Sequence, residues 1–123
     1  MTYKYFKLSE FDSPDAPGSG AVRMNRDFVA VLDKIRERCG FPLVVTSGYR
    51  TTAHNAKVGG SSGSAHVLGL AADLRIPAPM DRNRSILYDI ARAEGITRIG
   101  IGDTFIHFDM NKNAAQNVTW LYR

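Results

Sequence analysis

One cysteine, Cys39, is all the thiol this chain carries, so an internal disulfide and a thiolate metal cluster are both excluded. No apolar run approaches the roughly 20 residues that a membrane-spanning helix needs. Residues 1–10 mix lysine with aromatics and offer no uninterrupted apolar stretch, so a Sec-type signal is not expected there. Internal repeats and low-complexity tracts are missing as well, and so is any basic stripe interleaved with aromatics. A pI of about 9.5 and scattered arginines therefore do not make a nucleic-acid-binding protein. The formal charge of +4 is mild, suiting association with an anionic target without naming one. Cys39 ends an amphipathic pattern and reads as a small apolar packing residue rather than a nucleophile.

What is present fits one globular domain over residues 1–123. Of these residues, 44% are hydrophobic and 23% charged, enough to bury a core without staples. After a short aromatic segment, residues 13–20 form a loop rich in proline and glycine. Met24, Phe28, Val31, Leu32 and Ile35 follow helical spacing, which predicts a helix over 22–39 with Gly40 to stop it and Pro42 beyond. Residues 43–46 predict a short buried strand, 51–57 one or two helical turns, and 58–64 a glycine-rich loop. A second strand is expected over 70–76. Asp81 is placed to cap a helix running to about residue 94, where Gly95 ends it. Further strands are expected over 98–101, 104–110 and, at an edge, 118–122. The order implies an α+β fold: a small antiparallel sheet with helices packed on one side.

Three polar residues sit inside apolar segments. His66 follows the glycine-rich loop. Asp73 lies in Gly69-Leu70-Ala71-Ala72-Asp73-Leu74, where a carboxylate is costly unless it is paired or bound to a metal. His107 lies in Phe105-Ile106-His107-Phe108-Asp109, where strand alternation puts His107 and Asp109 on one face and Ile106 and Phe108 on the other. Two imidazoles and a carboxylate from separate segments are a ligand set for catalytic zinc, leaving a fourth position open. Singly, each residue has an ordinary explanation: a satisfied core histidine, or an Asp73 ion pair with Arg50 or Arg75. The glycines at 59, 60 and 63 lack the Gly-Lys-Ser/Thr ending of a phosphate loop.

Read together, Ser47-Gly48-Tyr49-Arg50-Thr51, His54-Asn55, Val58-Gly59-Gly60 and Ser64-Ala65-His66 through Asp73 resemble a known signature, S-G-Y/F-R, H-N, V-G-G and S-x-H-x-x-G-x-A-x-D. It belongs to the zinc D-Ala-D-Ala carboxypeptidases and L-alanyl-D-glutamate endopeptidases, the clan MD metallopeptidases. Phe105-Ile106-His107-Phe108-Asp109 is similar to their last ligand strand, and Trp120-Leu121-Tyr122 to the W-x-Y end of short members. The opening Tyr5-Phe6-Lys7-Leu8-Ser9-Glu10-Phe11 resembles the F-x-x-x-E-F start of the compact phage and prophage endolysin-like subgroup.

That resemblance implies a zinc site of the hedgehog and D-Ala-D-Ala-peptidase type, with His66, Asp73 and His107 as Zn2+ ligands. It implies hydrolysis of a peptide bond in the peptidoglycan stem or cross-link peptide, either L-Ala–D-Glu or D-Ala–D-Ala, by a phage or prophage lytic enzyme, for which a monomer is the default expectation. Arg50 matches the arginine that holds substrate and steadies the oxyanion, a role suited to a permanently charged fork of donors. Ser64 either contacts substrate or supports its loop. His54 reads as structural. The family's general base stands three residues before the last ligand histidine, where this chain has Thr104. Asp103, one residue earlier, and Asp109, on the face of His107, are the two candidates, and Asp109 is also a candidate to orient a ligand imidazole. The expected route is synthesis in the cytoplasm and later release to the periplasm or wall. A zinc-stabilised wall-binding or phage structural module without catalysis is the competing expectation.

Overall fold

Asn25 decides where the first long helix starts. Its backbone is extended, and its side-chain oxygen accepts the N–H of Phe28, satisfying one of the donors a helix leaves unpaired at its start. The helix therefore begins at Arg26 rather than at residue 22, and a separate short turn of helix fills the end of the expected 13–20 loop. Met24, in helical phase with Phe28, is buried from the linker between the two. The computed structural model describes residues 2–122. A 3-10 helix (Leu8–Phe11) is followed by α1 (Ser19–Arg23), α2 (Arg26–Cys39), β1 (Val44–Ser47), α3 (Thr52–Lys57), β2 (Ala71–Arg75), α4 (Met80–Ala93), β3 (Arg98–Ile101), β4 (Phe105–Asp109) and β5 (Val118–Leu121). The single-domain reading of 1–123 extends to Met1 and Arg123, which lie outside the described residues.

Asp81 does not cap α4. Pro79 takes the cap position with no side-chain bond, and Asp81 stands in the first turn, where a carboxylate meets the positive end of the helix and pairs with Arg84 Nη1 at 3.0 Å. The helix gives way at Glu94, before Gly95 turns with φ 93°.

The five strands form one sheet in the order β1-β2-β4-β3-β5. Pairings β1–β2, β2–β4 and β3–β4 are antiparallel, but β5 runs parallel to β3, so the sheet is mixed rather than wholly antiparallel. The reason is geometric. One loop after β4 reverses the chain, so β5 runs against β4, and β3 already runs against β4. Placed beyond β3, β5 has to be parallel to it.

Strand alternation divides the sheet into two faces. Ala72, Leu74, Ile99, Ile106 and Phe108 turn towards Phe28, Val29, Leu32 and Ile35 of α2 and Leu87 and Ala91 of α4, forming the core. Burying each of the large side chains contributes about 1.5–3 kcal/mol. Both long helices lie on this face, as the sequence implied. The other face carries Asp73, His107 and Asp109. Cys39 is half-buried at the rim of the core, its sulfur near the carbonyls of Arg36 and Phe41. No helix among the described residues is long and apolar enough to cross a membrane.

Candidate metal centre

Register builds the site. Ser47 pairs with Asp73, Asp73 with His107, His107 with Gly100, and Gly100 with Trp120, so one row of residues crosses all five strands on the face opposite the helices. Asp73 and His107 are direct cross-strand neighbours. His66 reaches them from the loop before β2: the N–H of Arg50 bonds its carbonyl at 3.1 Å, and its Nδ1 lies 2.7 Å from the Gly48 carbonyl. Gly48 cannot carry a side chain, because a Cβ there would stand 2.6 Å from Phe11 Cα. The segment from Ser47 to Arg50 is thus pressed between the N-terminal 3-10 helix and the metal-side loop.

One donor atom from each of His66, Asp73 and His107 lies within 4.8 Å of the other two. His66 Nε2 is 3.4 Å and His107 Nδ1 2.8 Å from the same oxygen, Asp73 Oδ1. The remaining ring nitrogens are held from outside. His66 Nδ1–H donates to Gly48 O, and His107 Nε2–H donates to Asp109 Oδ2 at 2.7 Å. This is how ligating imidazoles are held in metal sites, with the outer nitrogen fixing tautomer and ring orientation. Two imidazoles and a carboxylate converging with their inner atoms fit Zn2+ in a catalytic arrangement with an open position.

Without an ion, the same geometry shifts protonation. Burial opposes charge on His107, but hydrogen bonds and charge from Asp109 and Asp73 outweigh it and raise its pKa above the ordinary value. Both its nitrogens face carboxylates, as an imidazolium requires. Asp73 moves the opposite way: burial would raise it, yet hydrogen bonds from His107 and His66 hold it well below the usual carboxylate range. Burial likewise opposes ionisation of Asp109, and its bonds from His107 and the Asn111 N–H overcome this and lower its pKa.

The row opens into a cleft of about 440 Å³ that Arg50, Ser64, His66, Asp73, His107 and Asp109 all line. Arg50 donates from Nε to Ser47 Oγ (3.1 Å) and from Nη1 to Asn55 Oδ1 (3.2 Å), with Nη2 3.7 Å from Asp73 Oδ2. Ser64 Oγ accepts the His66 N–H at 3.3 Å, which supports the loop. Asp103 is not brought to this cleft. It is exposed on the turn before β4, bordering a separate surface hollow with Asp81 and Arg84, and its carbonyl accepts from Arg84 Nη2. His54, on α3, lies outside the cleft as well, beside Asp15.

Several residues given no role in the sequence analysis belong to the site. Asn55 is buried, receives Arg50, and donates from Nδ2 to the Ser61 carbonyl at 2.8 Å, tying the arginine to the glycine loop. Arg98 donates from Nε to Asp109 Oδ1 at 2.7 Å. Its one sequence cue was alternation with the apolar Ile99 and Ile101 on β3. Trp120 and Tyr122 wall the cleft, with the Trp120 ring 5.4 Å from that of His107. They fit because Gly100 has no side chain: a Cβ there would lie 2.5 Å from the Tyr122 ring and 2.8 Å from that of Trp120. Gly100→Ala is therefore expected to lower stability by about 1–3 kcal/mol. It should also shift the emission of Trp120, the chain's single tryptophan. Unaltered emission and an unaltered urea midpoint would contradict this packing.

A family model described as Peptidase M15 matches residues 4–109, from the N-terminal segment to the end of β4. No curated protein matches the chain.

Proposed function

The chain belongs to the Peptidase M15 family, and on that premise we propose that it hydrolyses a peptide bond in the stem or cross-link peptide of peptidoglycan. Peptidases of this family are zinc enzymes, and His66, Asp73 and His107 are the residues here that would hold the ion. The observation that carries the reading is their convergence in an open cleft beside Arg50. When bound, zinc supplies a Lewis acid for the scissile carbonyl and raises the acidity of water.

The chain's own residues do the rest. Arg50, fixed by Ser47 and Asn55, presents its guanidinium beside Asp73, ready to receive a carbonyl oxygen as it gains negative charge. Ser64 keeps the His66 loop in place and lines the path by which a peptide enters. Asp109 fits an orienting role better than that of base, because both its oxygens are engaged, by Arg98 and the Asn111 N–H on one side and His107 on the other. A phage or prophage lytic enzyme acting at the wall after release is the setting we propose for this activity.

One observation favours a second reading, a zinc-held module that binds wall peptides without cutting them. Among the described residues, the carboxylates of the cleft are Asp73 and Asp109; the first is a ligand and the second is engaged. Incubating zinc-loaded protein with purified peptidoglycan and identifying new termini by mass spectrometry separates the two. A new free amine or released D-Ala establishes the peptidase and names the bond. One bound zinc per chain with no new terminus establishes the binding module. In the same assay Asp103→Asn is expected to retain its rate within about threefold, since an exposed substitution away from the site changes little. A loss of a hundredfold or more would return Asp103 to the chemistry and require its turn to move.

A further inference from the structure

Asp109 is a carboxylate with 2% of its side chain exposed, placed directly behind a metal-ligand histidine. A buried anion in that position is tolerable when a fixed cation answers it. Among the described residues the cations within ion-pair distance are His107 and Arg98. An imidazole that ligates a metal is a neutral donor, which leaves Arg98 as the formal positive charge on Asp109.

The backbone places Arg98 for this task. In the β3–β4 register it stands directly opposite Asp109. Its Nε donates to Asp109 Oδ1 at 2.7 Å, its Nη1 donates to the Ala115 carbonyl at 2.7 Å, and its guanidinium lies over the Trp120 ring at 5.0 Å. One side chain thus grips the carboxylate, the loop between β4 and β5, and the aromatic wall together. The remaining oxygen of Asp109 is left to a single partner, His107 Nε2.

We propose that Arg98 is a positioning residue of the metal centre: by fixing Asp109 it holds His107 in the tautomer and rotamer that aim Nδ1 at the site of the ion. The inference rests on the zinc-site reading above, and it adds a residue that acts on the metal through Asp109 and His107 rather than as a ligand. Lysine cannot replace it fully, since a single ammonium lacks the fork that reaches Asp109 and Ala115 at once.

The test is zinc affinity of the purified full chain, read by competition with a chromogenic chelator, for Arg98→Gln, Arg98→Lys, Asp109→Asn and the Arg98→Gln/Asp109→Asn double variant. Arg98→Gln is expected to weaken zinc binding about 10- to 100-fold, the usual cost of losing an outer partner of a ligand. Arg98→Lys should recover part of it. The double variant should bind no more weakly than Asp109→Asn alone, because Arg98 acts through Asp109. Affinity within about twofold of the parent in both Arg98 variants overturns the proposal. So does a double variant whose loss is the sum of the two single losses, which a purely structural role would give. If Arg98→Gln does not fold, Arg98→Lys and its Asp109→Asn combination carry the same comparison. Because no substrate enters the assay, a protein that binds zinc and cuts nothing would defeat the peptidase reading and leave this inference standing.

Discussion

His66→Ala is expected to abolish stoichiometric zinc binding and to lower peptidase rate at least about a thousandfold, equivalent to about 4 kcal/mol of transition-state stabilisation. The size follows from how little else is in place to replace it. The three donor atoms lie within 4.8 Å of one another, and His66 supplies one from the loop before β2, 3.4 Å from Asp73 Oδ1. Removing it leaves two ligands on adjacent strands and an open flank towards the glycine loop. The substitution also strips the Gly48 carbonyl of its donor, adding about 1–3 kcal/mol of lost stability if water does not replace it. Rate and fold therefore need separate readouts: zinc content by equilibrium dialysis, rate on peptidoglycan, and the unfolding midpoint. A variant that stays folded, keeps one zinc and retains its rate would remove His66 from the centre.

Much of this centre was legible because strand alternation and burial leave marks in composition. Ile106 and Phe108 flanking His107 could not share its face, and Asp73 amid Ala71, Ala72 and Leu74 demanded a partner. What could not be read was anything that depends on which strand lies beside which. Arg98 and Asp109 are joined because β3 pairs with β4 in one register; shifted by a residue, Arg98 would face the core. Gly100 looked like an ordinary strand glycine until β5 laid Trp120 and Tyr122 beside it. Asp103 sits one residue from the position where the resemblance puts the base, and spacing alone did not show where the turn before β4 leaves it: exposed, outside the lining of the cleft, with its carbonyl bonded to Arg84. The helix start failed for a local reason, since hydrophobic phase from Met24 outlasted the helix that Asn25 caps.

Zinc and protons compete for His107, so the pH dependence of stability is expected to change sign when the metal is removed. In the metal-free protein the raised pKa of His107 means its contribution is complete below the unfolded value of about 6.5 and is lost as pH rises through the folded value. Asp73 and Asp109, with lowered values, contribute above about 3.9 and lose that contribution as pH falls further. The site therefore favours the metal-free fold most between about pH 4 and 6.5 and less at 8.5. With zinc, the ion takes the place of the proton on His107 Nδ1, and its contribution grows with pH by up to about 1.4 kcal/mol per unit for each proton displaced. At a free zinc concentration 1,000 times Kd that contribution reaches about 4 kcal/mol. Urea unfolding at pH 5.5, 7 and 8.5, with chelator and with excess zinc, should give two trends of opposite slope, diverging most at 8.5. Parallel trends would mean that zinc does not bind where His107 holds its proton, and would move the ion away from the His66–Asp73–His107 group.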